Sequence, residues 1–233
     1  MQFIEVSEMG VRAARLAFVD PKASARVTLF PMVHIGEPGF YEEVYRDALT
    51  HDVVLFEGVR SPVVARITRS YRWLVGSRAM AGLIVQPRFD GTNSSASIVH
   101  ADLTHEEFSI EWHKVPLWIR GLLYVISPWL GLKRRWFTSK AALAKDMGCE
   151  AQPSLKEVLA ISPETGALTQ AILHARDERL IERLSKELAG SQGQVSIAVI
   201  YGAMHMRAVV RELTGKRRFS VTSAEWRTVM SIA

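Results

Sequence analysis

The sequence has little cysteine, and this excludes several classes of protein. Cys149 is the only cysteine among the 233 residues, so no intramolecular disulfide can form. The sequence also has no C-x-x-C pair and no Cys/His cluster, which excludes the common structural zinc modules. A disulfide-stapled secreted scaffold is therefore not expected.

A secretory leader and a long uninterrupted apolar run are also missing. The N-terminal stretch contains acidic residues and lacks a basic region followed by an apolar run, so the cytoplasm is the expected location. The segment from Val115 to Leu132 comes nearest to a membrane span, but Pro116, Arg120 and Pro128 interrupt it. A packed helical hairpin is the favoured interpretation of this segment. The alternatives are a hydrophobic lid or partner surface, including one for a homodimer, and contact of residues 115–132 with a membrane surface.

The formal net charge of +5 favours anionic partners only where the cations cluster. One basic run follows the second strand of the predicted core, from Arg60 to Arg78, and another spans Lys133 to Lys140. Neither run is interleaved with aromatic residues in the pattern of a nucleic-acid module, so nucleic acid is not expected as a partner.

Three apolar strands each lead to a polar residue, and these residues are the candidate site. Val27 to Val33 leads to His34, and Asp52 to Phe56 leads to Glu57, with a helical segment between the two strands. This strand–helix–strand pattern predicts a parallel βαβ unit, with His34 and Glu57 side by side at the carboxyl edge of the sheet. A third strand, Val195 to Tyr201, leads to Gly202 and His205.

Further candidates come from the rest of the chain. Asp102 ends a short stretch, Ile98 to Asp102, which the sequence indicates is a strand. A predicted helix, Pro163 to Ala189, carries Arg176 within its apolar stripe. The arginine either extends its guanidinium to solvent or turns inward to a carboxylate such as Glu57 or Asp102. Its neighbour Asp177 is expected to face solvent or to cap the helix locally. Arg60, Asp102 and Tyr201 are the predicted substrate-binding residues.

Two imidazoles and a carboxylate at one sheet edge are compatible with two kinds of chemistry. They can form an open metal site for a divalent transition ion such as manganese, cobalt or zinc, with His34, Glu57 and His205 as ligands. Alternatively, Glu57 or a histidine acts as a general base without a metal. In the metal-dependent hydrolase, Arg176 would orient a carboxylate or stabilise an oxyanion, and His34, Glu57, His205 and Arg176 are the predicted catalytic residues.

Two segments resemble the opening and closing motifs of the TraB/PrgY/GumN family, whose animal relatives are the TIKI proteins. They are PMVHIGEPGFYEEVYRDALTHDVVLFEGVR and VIYGAMHMRAVVRELTG, and the chain is more distantly similar to the erythromycin esterase and ChaN group. The family's second G-x-x-H motif is intact at Gly202 to His205, whereas in the first motif Pro31 replaces the glycine before His34. The run HARDERLIERL is similar to the family's Arg-Asp/Asn helix and maps onto Arg176 and Asp177.

The resemblance implies an α/β fold with a mixed, mainly parallel sheet flanked by helices, as in erythromycin esterase and ChaN. It implies one domain over residues 1–233, with a mainly helical insertion over residues 61–150. It also implies a metal-dependent hydrolase, with the peptide bond as the favoured target and a peptide or small molecule as substrate. The alternative is a non-enzymatic binding protein that sequesters a peptide, haem or a protein partner.

Overall fold

The computed structural model describes residues 1–22, 24–59, 61–92, 94–147, 165–190 and 193–232. These residues form an α/β protein in which a mixed sheet, mostly of parallel strands, is flanked by helices. The fold class predicted from the sequence is confirmed at this level. The specific likeness to erythromycin esterase and ChaN, and the division into one domain with an insertion over residues 61–150, stay predictions.

In the described part of the chain, seven strands form the main sheet, and two short strands pair with each other outside it. In chain order the strands are β1 (Ile4–Ser7), β2 (Gly10–Val19), β3 (Ala25–Met32), β4 (Ile35–Gly36), β5 (Val53–Phe56), β6 (Ile84–Val85), β7 (Ser97–His100), β8 (Val195–Gly202) and β9 (Ser220–Ser231). The short pair consists of β4 and β6.

The helices lie between these strands, and most of them fall in the middle of the chain. They are α1 (Pro38–Ala48), α2 (Pro62–Val75), α3 (His105–Lys114), α4 (Leu117–Phe137), α5 (Lys140–Met147), α6 (Thr165–Thr169), α7 (Ala175–Gly190) and α8 (Met206–Val210). Single 3₁₀ turns cover Arg78–Met80 and Ala203–His205, and π-helical turns cover Gln170–His174 and Arg211–Lys216.

The four strands β3, β8, β5 and β7 are parallel and lie in that order across the sheet. The sequence predicted that β3 and β5 would place His34 and Glu57 side by side. This prediction is wrong in one respect, because β3 and β5 are not adjacent in the sheet. Strand β8, from far downstream, lies between them, pairing Leu29 with Val199 on one side and Leu55 with Val199 on the other. The βαβ unit is still parallel, and all of its carboxyl ends reach the same edge.

The central parallel strands are buried because helices cover the sheet. Every described residue of β3 except Arg26 is buried, as are the first three residues of β5 and the middle of β8. Strands buried on both faces need continuous apolar runs rather than alternation, which explains why these segments were recognisable in the sequence.

The far side of the sheet is antiparallel and larger than the sequence indicated. Strand β2 pairs with β1 and β3 along one edge and with β9 along the other. Phe219 to Val221 is a short apolar stretch that indicates a strand by itself, but β9 continues to Ser231. Most of β9 is exposed, so its apolar periodicity is weak and its pairing with β2 had no strong local signal.

The segment from Val115 to Leu132 is not the helical hairpin that the sequence favoured. Helix α4 continues through Pro128 for 21 residues, and it follows α3 across a sharp bend. Among the residues that the structure describes, no single helix is long and apolar enough to cross a membrane. The bent pair of His105–Lys114 and Leu117–Lys133, at 111°, reaches that length and composition only when its two parts are taken together.

The predicted helix from Pro163 to Ala189 is present in part. Pro163 lies outside the described residues, and the helical path begins at Thr165. A π-helical turn, Gln170–His174, interrupts it directly before α7. Leu180 and Leu184 are fully buried, as the apolar stripe predicted.

Candidate active site

The carboxyl ends of the parallel strands carry the candidate residues. His34 follows β3, Gly202 ends β8, Glu57 follows β5, and Asp102 follows β7. Helix α7 packs against β5 and brings Arg176 to the same edge. The sequence predicted this convergence from strand-end positions, and open parallel sheets bind ligands at such an edge.

Arg176 is held between two carboxylates. Its Nε donates to Oδ1 of Asp102 at 2.9 Å, and its Nη2 donates to Oδ2 of Asp102 at 2.7 Å and to Oε1 of Glu57 at 2.5 Å. The inward orientation of this arginine, one of the two alternatives left open by the sequence, is therefore the observed one. Desolvation lowers the pKa of Arg176, but Glu57 and Asp102 outweigh it and hold the pKa above its ordinary value.

Asp102 is the most deeply buried member of this network. Its side chain has no exposed surface, and its oxygens also accept hydrogen bonds from the backbone N–H groups of Gly58 at 3.0 Å and Leu103 at 2.8 Å. Desolvation raises the pKa of Asp102, whereas Arg176 and the Leu103 N–H lower it, and the net direction is downward. Asp102 is thus a fixed anion that orients the guanidinium.

Glu57 is held from two sides. Oε1 receives the hydrogen bond from Arg176, and Oε2 receives one from the backbone N–H of Gly202. Desolvation raises the pKa of Glu57, but Arg176, together with His205 and His34, brings it below its ordinary value. A Cβ at position 202 would lie 3.1 Å from Oε2, so glycine is the residue that permits this close approach.

His205 pairs with an aspartate that the sequence analysis placed elsewhere. Its Nδ1 lies 2.7 Å from Oδ1 of Asp177, and the side chain is only 4% exposed. The expectation that Asp177 faces solvent or caps its helix locally is therefore wrong. The signal that could have found it is the HARDERLIERL run, in which the resemblance already paired Asp177 with Arg176.

His34 lies at the mouth of the site. Its ring stacks on Tyr71 of α2, with the centroids 5.2 Å apart, and its backbone carbonyl accepts a hydrogen bond from the N–H of Gln86. Desolvation lowers the pKa of His34, Glu57 raises it and Arg176 lowers it, with a net lowering. The side chain is exposed to solvent, which weakens the desolvation, while the direction of the pKa shift favours the neutral imidazole.

Tyr201 supplies an aromatic wall beside both His205 and Arg176. Its ring meets His205 edge to face at 4.9 Å, and the Arg176 guanidinium lies 5.5 Å from its centroid. The residue is fully buried, and its hydroxyl has no hydrogen-bond partner of normal geometry among the described residues. Desolvation raises the pKa of Tyr201, so the phenol is neutral. Arg60, the remaining predicted substrate-binding residue, lies outside the described residues.

The donor atoms were compared with the needs of the predicted metal ion. In the described part of the chain, no group of three His, Cys, Asp or Glu side chains is arranged to hold one. Both oxygens of Glu57 accept hydrogen bonds, one of them from a cation, and Nδ1 of His205 faces Asp177. A divalent ion at Glu57 would have to displace the Arg176 guanidinium, and the metal site expected from the sequence stays a prediction.

A separate depression of about 780 Å³ lies near the amino ends of β3 and β8, lined by Asp20, Lys22, Gln194, Arg217 and Phe219 among others. It is at the opposite edge of the sheet from Glu57 and His205 and contains none of the candidate residues.

Comparisons of the chain with models of known protein families, with curated proteins and with solved structures found no match. The resemblance to the TraB/PrgY/GumN family therefore stays a prediction, and the site has to be interpreted from its own geometry.

Proposed function

We propose that the chain is a hydrolase of an ester or peptide bond, with His205 as the general base. The observation that carries the proposal is the contact between Nδ1 of His205 and Asp177 beside the Arg176 network. A carboxylate at Nδ1 fixes the tautomer and orientation of the ring, so that proton transfer falls to Nε2. The peptide bond is the preferred target on the family resemblance alone.

Each residue then has a distinct role in the reaction. Nε2 of His205 takes a proton from water, and the water oxygen attacks the carbonyl carbon of the substrate. The resulting imidazolium is stabilised by Asp177. It gives the proton to the leaving-group oxygen or nitrogen as the C=O bond re-forms and the bond from the carbonyl carbon to the leaving group breaks. The tetrahedral oxyanion is stabilised by Arg176, whose Nη1 is not used in its hydrogen bonds to Asp102 and Glu57.

Glu57 is a positioning residue in this scheme rather than a base. Its pKa is below the ordinary value, because the attraction of Arg176 outweighs desolvation, and both oxygens already accept hydrogen bonds. Such a carboxylate is a poor proton acceptor near neutral pH. Its contribution is to fix the guanidinium and the Gly202 backbone relative to each other.

The test is a comparison of His205→Ala and Asp177→Asn with two matched controls, assayed on chromogenic acyl esters and fluorogenic peptides. Loss of a general base lowers kcat by about 10²–10⁴-fold, and we expect this decrease for His205→Ala. We also expect Asp177→Asn to lower kcat, whereas its control variant should not. The controls are His113→Ala, an exposed histidine of α3, and Glu178→Gln, an exposed acid next to Asp177. Wild-type rates in both His205→Ala and Asp177→Asn would contradict the proposal.

Arg176→Lys tests the oxyanion role with the charge retained. Lysine keeps a cation near Glu57 and Asp102 but loses the planar fork that binds both. We expect kcat to fall by about 10²–10³-fold with KM little changed, since the interaction lost is made mainly in the transition state. Circular dichroism and thermal unfolding of the variant check that the fold is kept, and an unchanged kcat in a folded variant would remove Arg176 from the mechanism.

A metal-dependent hydrolase, with manganese, cobalt or zinc bound by His34, Glu57 and His205, is the rival proposal. It is favoured by the common position of these residues at one sheet edge. It predicts that a chelator abolishes activity and that the ion restores it, whereas the general-base proposal predicts no effect of the chelator. Tight binding of a peptide or haem without turnover, retained in His205→Ala, would instead support the non-enzymatic binding protein.

A further inference from the structure

Helix α4 carries a continuous apolar stripe on its exposed side. The stripe consists of Trp118, Leu122, Val125, Trp129, Leu132 and Trp136, spaced alternately by four and three residues. At 3.6 residues per turn these positions fall within about 80° of one another, over a length of about 27 Å. Each is more than 40% exposed, and Val125 and Trp136 exceed 70%. Isolated exposed apolar residues are ordinary, but an ordered stripe of this size indicates a contact surface.

The opposite side of the same helix is used for packing. Ile119 is buried in a small apolar cluster with Trp112 and Val115, and Leu123 and Tyr124 pack against that cluster. Arg66 of α2 lies 4.7 Å above the Tyr124 ring, and Arg135 donates to the Trp73 carbonyl at 3.1 Å. The helix is thus fastened to the protein by one face while the stripe points away from the core.

The charges on α4 and its neighbour α2 have one sign. Helix α2 contains three arginines and helix α4 contains four cations, and neither contains an Asp or Glu: the cations are Arg66, Arg69, Arg72, Arg120, Lys133, Arg134 and Arg135. The whole chain has a net charge of only +5, so its positive excess is concentrated in these two helices. Lys133 lies 5.5 Å from the Trp129 ring centroid, which places a cation directly beside the stripe.

We propose that the stripe of α4 binds the surface of an anionic lipid bilayer, with the helix lying in the interface. Tryptophan is favoured at the boundary between hydrocarbon and headgroups, and flanking Lys and Arg attract anionic lipids. Contact with a second copy of the chain fits less well. Two such helices would lack the acidic partners that normally pair with basic residues beside a coiled-coil seam.

This proposal is independent of the hydrolase activity and is tested by binding alone. The full chain is mixed with vesicles of phosphatidylcholine, or of phosphatidylcholine with phosphatidylglycerol, and floated through a density gradient. We expect flotation with the anionic vesicles, weakened by added salt, and little with the neutral ones. No flotation with either vesicle would overturn the proposal.

Val125→Asp tests the stripe, and Val221→Asp is its matched control. Val125 is at the centre of the stripe, whereas Val221 is exposed on β9 and has no part in it. A carboxylate in the stripe should lower partitioning by about tenfold or more, because it would have to enter the apolar layer beside anionic lipid. The control should bind like wild type, and unchanged binding in Val125→Asp would overturn the proposal.

Lys133→Glu is a second variant, at the cation beside the stripe. This substitution should reduce binding to the anionic vesicles and leave thermal unfolding unchanged. Size-exclusion chromatography with light scattering, run beside the flotation, tests whether a second copy of the chain binds the stripe instead of lipid. A dimer that Val125→Asp converts to a monomer, without vesicle binding by either protein, would assign the stripe to a second copy of the chain and overturn the lipid proposal.

Discussion

Arg176 and Asp177 are neighbours in sequence, but they bind different partners. Both lie in the first turn of α7, where consecutive side chains point about 100° apart. One therefore reaches Asp102 and Glu57 while the other reaches His205. The π-helical turn Gln170–His174 directly precedes this pair, and such turns occur frequently at functional sites.

Gly202 gives the sharpest prediction for a single residue. In Gly202→Ala the new Cβ would lie 3.1 Å from Oε2 of Glu57 and 3.5 Å from Cδ2 of His205. Glu57 cannot easily yield, because Arg176 and the Gly202 N–H hold it. We expect a loss of unfolding free energy of about 1–2 kcal/mol from overpacking and a clear drop in hydrolysis. Urea unfolding and kcat are the measurements.

Gly39→Ala is the matched control, since a Cβ at that position meets nothing within 4 Å. It should keep both the stability and the rate of the wild type. If Gly202→Ala behaves like Gly39→Ala, the close approach at Glu57 has no functional weight.

The candidate residues differed in how far the sequence could predict them. Glu57 and His205 could be predicted because each follows an apolar strand, and Arg176 could be predicted because it interrupts an apolar stripe. Asp177 was not, because on a helix surface an acid beside an arginine is usual and carries no periodic signal. The Tyr201 contact with Arg176 depends on the approach of α7, which no local pattern specifies.

At the scale of elements, α3 is specified most clearly by its ends. Thr104 accepts a hydrogen bond from the Glu107 N–H, and the Glu107 carboxylate accepts one from the Thr104 N–H, which is a capping box with the T-x-x-E sequence pattern. The same Glu107 side chain also binds Arg179 of α7. The cap therefore connects the helix start to the helix that carries Arg176.

Thr104→Ala should lower the unfolding free energy by about 1 kcal/mol, because the N–H groups of the first turn lose their acceptor. Thr104→Ser keeps the hydroxyl and should be close to wild type. Chemical denaturation of the three proteins measures the difference. Equal stability of the alanine and serine variants would show that the capping hydroxyl contributes nothing.

Elements with strong local rules were predictable, and elements defined by distant pairing were not. The buried strands β3, β5 and β8 and the capped helix α3 follow from apolar runs and end signals. The position of β8 between β3 and β5, and the full length of β9, are set by strand pairing across much of the chain. A pattern in one segment carries no information about which distant segment pairs with it.

For the molecule as a whole, His51 makes stability depend on pH. It is buried, and Nε2 lies 2.9 Å from the Thr28 hydroxyl. Desolvation lowers its pKa below the ordinary 6.5 in the folded protein. The unfolded chain therefore binds the proton more readily, so the stabilisation from neutral His51 is complete above pH 6.5 and is lost as the pH falls below it.

The expected slope from this one group is at most about 1.4 kcal/mol of unfolding free energy per pH unit. Urea midpoints measured from neutral to mildly acidic pH should fall less steeply in His51→Gln than in wild type. His105→Gln, an exposed position on α3, should leave the slope unchanged. Identical slopes in all three proteins would exclude His51 as the cause.

The position of β8 also has a consequence for how the protein folds. The hydrogen bond between Glu57 and Gly202 joins residues that are 145 positions apart in sequence. Strands β3 and β5 do not pair with each other, and only β8 connects them in the sheet. During synthesis, the edges of β3 and β5 that pair with β8 therefore stay unpaired while the middle of the chain is made. Such long-range pairing slows folding, so we expect these aggregation-prone strand edges to stay exposed until residues 195–202 leave the ribosome.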